Sequence, residues 1–117
     1  MPRFLAVYTM KPEDFARFRS TPKSEQDAVD AVGIKQWMDW EERNATFFAD
    51  RGGMVGKTTR VTKDGIANVM NPLCGYIVIE ADSIEAAARL FENHPHFTVF
   101  PGDGVDIMPI VTDTEPS

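Results

Sequence analysis

Three short segments of this chain are apolar on both of their alternating faces. Arg3 to Thr9 carries Phe4, Ala6 and Tyr8 on one side, Leu5 and Val7 on the other. Tyr76 to Ala81 sets Ile77 and Ile79 against Tyr76 and Val78, and Val105 to Val111 sets Val105 and Ile107 against Met108 and Ile110. Side chains of a strand alternate between faces, so a sheet with one wet face reads apolar, polar, apolar. These segments do not. With 117 residues there is room for one domain and one core. Helices in so short a chain cover one sheet face, and the other would be a larger apolar patch than monomers carry. The pattern therefore predicts a homodimer in which a second copy covers the bare sheet face.

The remaining elements follow from periodicity and punctuation. After the first strand, Pro12 suits the first turn of a helix to Arg19, and Ser20 to Ser24 is a connector. Val29, Val32, Trp37, Trp40, Phe47 and Phe48 approximate a helical stripe, predicting one long helix from Glu25 to Arg51 with a kink or restart at Gly33 and a stop at Gly52-Gly53. Met54 to Thr62 reads as a strand, Asp64-Gly65 as a tight hairpin turn, and Ile66 to Val69 as the returning strand. A turn at Asn71 to Gly75 leads to the strand at Tyr76. Asp82 and Glu85 form a capping-box pattern opening a helix to about Asn93, which Pro95 ends. The order is β-α-β-β-α-β with an extra hairpin. This predicts a single α+β domain over residues 1–112, a ferredoxin-like sandwich assembled as a dimeric α+β barrel, with a frayed tail at 113–117.

Composition narrows the partners. Twelve Lys and Arg against eighteen Asp and Glu give a net charge of −6, and the basic residues are scattered. Nucleic acid and anionic membranes are therefore not expected as partners. One cysteine, Cys74, excludes an internal disulfide and a multi-cysteine metal cage. The apolar run after Met1 stops at Lys11, too short for a membrane helix and without a cleavage site, so a cytoplasmic location is expected.

Lys63-Asp64-Gly65, followed after a variable stretch by Gly75-Tyr76-Ile77-Val78-Ile79-Glu80-Ala81-Asp82-Ser83-Ile84-Glu85-Ala86-Ala87, resembles the YCII-related (DGPF-domain) family of the dimeric α+β barrel superfamily. The closing Gly104-Val105-Asp106-Ile107-Met108-Pro109-Ile110 and a tryptophan-bearing first helix ending at Gly52 are similar to that family too. The chain departs from the pattern in having Ile66-Ala67 after Asp64-Gly65, and in lacking a histidine near the start of the long helix. The resemblance implies small cofactor-free enzymes of aromatic degradation with a histidine–aspartate pair, or proteins without known activity.

Both histidines fall together in Asn93-His94-Pro95-His96. Histidine is the natural acid/base near neutral pH, and two imidazoles on an extended segment project to one side. His96 and His94 are thus the candidate acid/base groups, with Asp106 and Tyr8 as orienting partners. The bland reading is a helix-stop loop bearing two surface imidazoles. A metal site would need Asp106 or Asp103 as well; no third ligand is identified, and neither metal nor cofactor is expected. Trp37 and Trp40 are candidates to line a small-molecule site, although both also fit core packing of the long helix. Gly52-Gly53-Met54-Val55-Gly56-Lys57-Thr58 fails as a phosphate loop, because Arg51 stands where the first glycine belongs. Asp39, Glu41 and Glu42 read as a solvated helix face. Three functions remain open: a cofactor-independent acid/base enzyme (elimination or isomerisation) acting on an aromatic or carbonyl-bearing molecule, a non-catalytic binding or accessory domain, and a cofactor-free monooxygenase.

Overall fold

A computed structural model describes residues 1–111; the tail expected at 113–117 lies outside the described residues. The chain forms β1 (Arg3–Thr9), α1 (Pro12–Arg19), α2 (Lys23–Asn44), β2 (Phe48–Met54), β3 (Thr58–Thr62), β4 (Gly65–Val69), β5 (Leu73–Glu80), α3 (Ile84–Arg89), α4 (Pro95–Thr98) and β6 (Gly104–Pro109). Four strands make one antiparallel sheet in the order β2-β5-β1-β6, and β3 and β4 pair only with each other. With the hairpin set aside, this is the ferredoxin-like α+β topology that the element order predicts.

Helices cover one face. Phe4, Ala6 and Tyr8 of β1 with Ile77 and Ile79 of β5 are buried there against Trp40, Ala87 and Phe91. Antiparallel partners share a face, and the register pairs Leu5 with Val78 and Met108, and Val7 with Tyr76 and Asp106. Leu5, Val7, Tyr76, Val78 and Met108 therefore lie on the uncovered side, with Tyr76 and Met108 exposed in the single chain. The sheet is open and no barrel closes within one chain. The chain is also flat: 51 × 45 × 18 Å, with a radius of gyration of 16.0 Å against about 13 Å for a compact domain of this length.

Several boundaries differ from the sequence expectation. The long helix ends at Asn44, whose Nδ2 donates to the Trp40 carbonyl oxygen at 2.9 Å, and a 3₁₀ turn follows over Ala45–Phe47. Phe48 to Gly53, expected as the helix end and its glycine stop, instead forms with Met54 a strand on the sheet edge, and the strand expected from Met54 to Thr62 begins only at Thr58. The segment holds one aromatic and no β-branched residue, so its strand comes from pairing along the edge of β5 and not from intrinsic propensity. Gly52 is a bulge inside this strand, not a helix stop. Its φ is 60°, and a Cβ there would strike the Tyr76 carbonyl oxygen. Gly33 neither kinks nor restarts α2; the helix is continuous, and the missing side chain makes room for the Phe100 ring. The expected stripe on α2 is also thin, since Val32 is half exposed and only Gly33 and Trp40 are buried.

The capping site expected at Asp82 shifts by one residue. Ser83, extended at φ −153°, caps α3 by accepting the Ala86 N–H at 3.1 Å, whereas Asp82 does not cap it. Helix α3 stops at Arg89, and Asn93 adopts φ 60° to reverse the chain. Pro95 begins α4 rather than ending a helix, as its fixed φ and missing N–H suit a first helical position.

Candidate functional site

Tyr8 stands near the end of β1, where the β1–β5 register shifts between Tyr8 and Thr9. The bulge turns the Thr9 carbonyl towards α4 and the loop after it. That oxygen accepts the Asp103 N–H at 2.8 Å and faces His96 Nε2 at 2.7 Å. A carbonyl only accepts, so His96 carries its proton on Nε2 and keeps a lone pair on Nδ1. Among the described residues Nδ1 makes no hydrogen bond, yet no fully buried side-chain nitrogen or oxygen there lacks a partner. Nδ1 therefore retains some accessible surface. The loop closes tightly over the ring: Gly102 N–H donates to the His96 carbonyl at 2.9 Å, and a Cβ on Gly102 would meet the imidazole.

His94 caps α4. Its side chain accepts the His96 backbone N–H at 3.0 Å, which is the first amide donor of a helix whose first residue is Pro95. The ring sits in an aromatic cage, edge-on to Trp37 at 4.4 Å and to Trp40 at 4.6 Å, with Nε2 3.5 Å from Tyr8 Oη. Trp40 is held in turn by its indole N–H, which donates to the Leu90 carbonyl at 2.7 Å. Both histidines are 1% exposed, so they are not the surface imidazoles of the bland reading. Nor do they sit on one extended segment projecting together: His94 is extended, His96 is helical, and each ring has its own partner.

Burial sets the protonation states. Desolvation pushes His94 down to about 3, reinforced by the neighbouring His96. His96 is lowered chiefly by desolvation, while its contact with the Thr9 carbonyl and the charge of Asp103 pull the other way. Tyr8 is raised strongly, first by burial and then by Glu41 and Cys74, so its phenol stays protonated. Cys74 is raised by burial and by Asp103, and its thiol donates to the Tyr8 carbonyl at 3.2 Å. It is a structural thiol of the bulge rather than an activated nucleophile.

A cavity of about 600 Å³ opens between α1, α2 and the sheet. Its wall includes Tyr8, Trp37, Trp40, His96 and Phe100, so four of the six candidates meet there. Two do not. His94 lies behind the wall. Asp106 pairs with Val7 on β1, which places it on the opposite face of the sheet from Tyr8, and it orients neither histidine. The Thr9 backbone carbonyl takes the role expected of Asp106. Among the described residues no group of three His, Cys, Asp or Glu side chains gathers to hold a metal, and no helix is long and apolar enough to cross a membrane.

The cavity rim adds residues the sequence reading missed. Glu41, read as part of a solvated face, faces Arg51 at 3.5 Å across the mouth, and Arg51 also lies over the Phe48 ring at 5.3 Å. Arg19 lies over Phe15 and Phe18 at the α1 side. The signal was weak, because Glu41 and Arg51, though close in sequence, belong to different elements, α2 and β2. The Arg51 pair in particular required β2, which the sequence reading had placed in the helix and its stop.

No protein-family profile matches the sequence, and no curated protein matches it. A search of solved structures finds the chain similar in fold to 5-chloro-2-hydroxyhydroquinone dehydrochlorinase (TftG) from Burkholderia phenoliruptrix AC1100, solved in complex with 2,5-dihydroxybenzoquinone. The TM-score is 0.55 at 14% identity, over 91% of this chain and 90% of that one. At that identity the likeness establishes a shared α+β fold.

Proposed function

We propose that the protein is a small cofactor-independent enzyme, a divergent relative of the YCII-related proteins, that uses acid/base chemistry on a hydroxylated aromatic or carbonyl-bearing molecule held in the Tyr8–His96 cavity. One observation carries this reading: a neutral imidazole, oriented by the Thr9 carbonyl and with no hydrogen bond to Nδ1 among the described residues, lines an apolar cavity large enough for a planar ring. Nδ1 of His96 takes a proton from the ligand. The electron pair released forms a new π bond, and a leaving group departs with its own bonding pair, so HX is lost overall. The Tyr8 hydroxyl hydrogen-bonds the oxygen on which charge builds, and Trp37 and Phe100 hold the ring plane. The fold likeness to a dehydrochlorinase supports this choice of reaction class. The bare apolar sheet face and the flat protomer support a homodimer through Leu5, Val7, Val78 and Met108.

The test is halide release from chlorinated hydroxyhydroquinones by the wild-type protein and His96→Gln. Removing the general base should lower kcat/KM by about 10²–10⁴-fold. Binding of 2,5-dihydroxybenzoquinone should change little. Equal turnover in the variant, or binding without any turnover by the wild type, refutes the enzyme reading; the latter makes the cavity a binding module.

A further inference from the structure

His94 touches the proton-carrying groups of the site without entering the cavity. Its Nδ1 accepts the His96 amide hydrogen at 3.0 Å, which requires a lone pair on Nδ1. A neutral imidazole carries one ring hydrogen, so that hydrogen sits on Nε2. Nε2 faces Tyr8 Oη at 3.5 Å, the outer edge of hydrogen-bonding distance, and among the described residues the phenol oxygen is the one hydrogen-bond partner of that atom. A hydroxyl that accepts from an imidazole N–H keeps its own hydrogen for another partner.

We infer that His94 is a positioning residue that fixes the polarity of the site: by holding its hydrogen against Tyr8, it directs the Tyr8 hydroxyl hydrogen into the cavity. The cavity then offers a donor at Tyr8 and an acceptor at His96 Nδ1. A bound molecule must present an acceptor oxygen, a carbonyl or phenolate, to Tyr8 and a hydrogen-bearing group to His96. The other His94 tautomer would reverse this, with Tyr8 donating backwards and showing only lone pairs to the ligand. Three aromatic rings, Trp37, Trp40 and Phe91, surround His94 within 5.9 Å and keep water from competing for its ring nitrogens. Burial, which pushes the imidazole down to about 3, keeps it neutral. The inference rests on the cavity being a ligand site.

Ring-¹⁵N-labelled histidine in the wild-type protein tests it directly. The His94 pair should show an unprotonated Nδ1 and a protonated Nε2 at pH 7, and Tyr8→Phe should move the Nε2 signal while leaving Nδ1 in place. His94→Asn keeps an acceptor for the His96 amide but withdraws the donor from Tyr8. It should weaken 2,5-dihydroxybenzoquinone binding about tenfold, the worth of one hydrogen bond, and add no further loss in the Tyr8→Phe background. A hydrogen on Nδ1, or wild-type affinity in His94→Asn, overturns the inference. Failure of the wild type to bind the quinone refutes the ligand-site reading instead, and the ring signals still report where the His94 hydrogen lies.

Discussion

Acid should unfold this protein through its histidines. In the unfolded chain both imidazoles titrate near 6.5, whereas in the folded protein His94 is held down to about 3. A lowered folded value means the unfolded chain binds the extra proton first. Stability is therefore fully present above pH 6.5 and is lost as pH falls from there towards about 3. Each buried neutral histidine contributes a slope of about 1.4 kcal/mol per pH unit inside its window. At pH 4.5, two units below 6.5, His94 alone costs about 3 kcal/mol. His96 acts in the same direction. A domain holds roughly 5–15 kcal/mol in total, so the loss is large. Urea unfolding followed by tryptophan fluorescence at several pH values between 7 and 4 measures it. The variant His94→Phe will have a different absolute stability, but its slope should be shallower by about one proton. A wild-type stability that is flat between pH 7 and 4.5 refutes the claim that these imidazoles fold neutral.

Three further outcomes are expected. Gly52→Ala forces a side chain onto positive φ and into the Tyr76 carbonyl; it should cost about 2 kcal/mol or more, read as a lowered Tm. Val7→Asp places a charge at the middle of the uncovered sheet face, and light scattering should show a dimeric wild type becoming a 13.1 kDa species; a monomeric wild type removes the dimer. Ultraviolet titration should show no ionisation from Tyr8, which is buried and beside Glu41, so Tyr8→Phe should leave the curve unchanged.

The strands at Phe4, Ile77 and Val105 were legible because each is a short run, apolar on both faces and bounded by turn residues, and topology followed from their order. Phe48 to Met54 was not, since two glycines after a helical stripe look like a stop; only the Tyr76 carbonyl, distant in sequence, makes Gly52 a bulge. Trp37, Trp40, Tyr8 and His96 were legible as candidates by residue type. Which of them share a cavity was not, because convergence depends on three elements folding over one sheet face. Asp106 illustrates the limit. A carboxylate is the obvious partner for an imidazole, but strand parity sends it to the wrong side, and a backbone carbonyl, which no side-chain reading singles out, does the orienting.

The cage around His94 is made of the same Trp40 and Phe91 that anchor the helices to the sheet. Reactivity and foldedness are thus mortgaged to one set of rings. Random drift that retunes the imidazoles will loosen the molecule, and drift that loosens it will first flood the imidazoles. Directed evolution of a new activity here should begin at the rim, around Arg19, Glu41 and Arg51, where side chains can change without disturbing that shared interior.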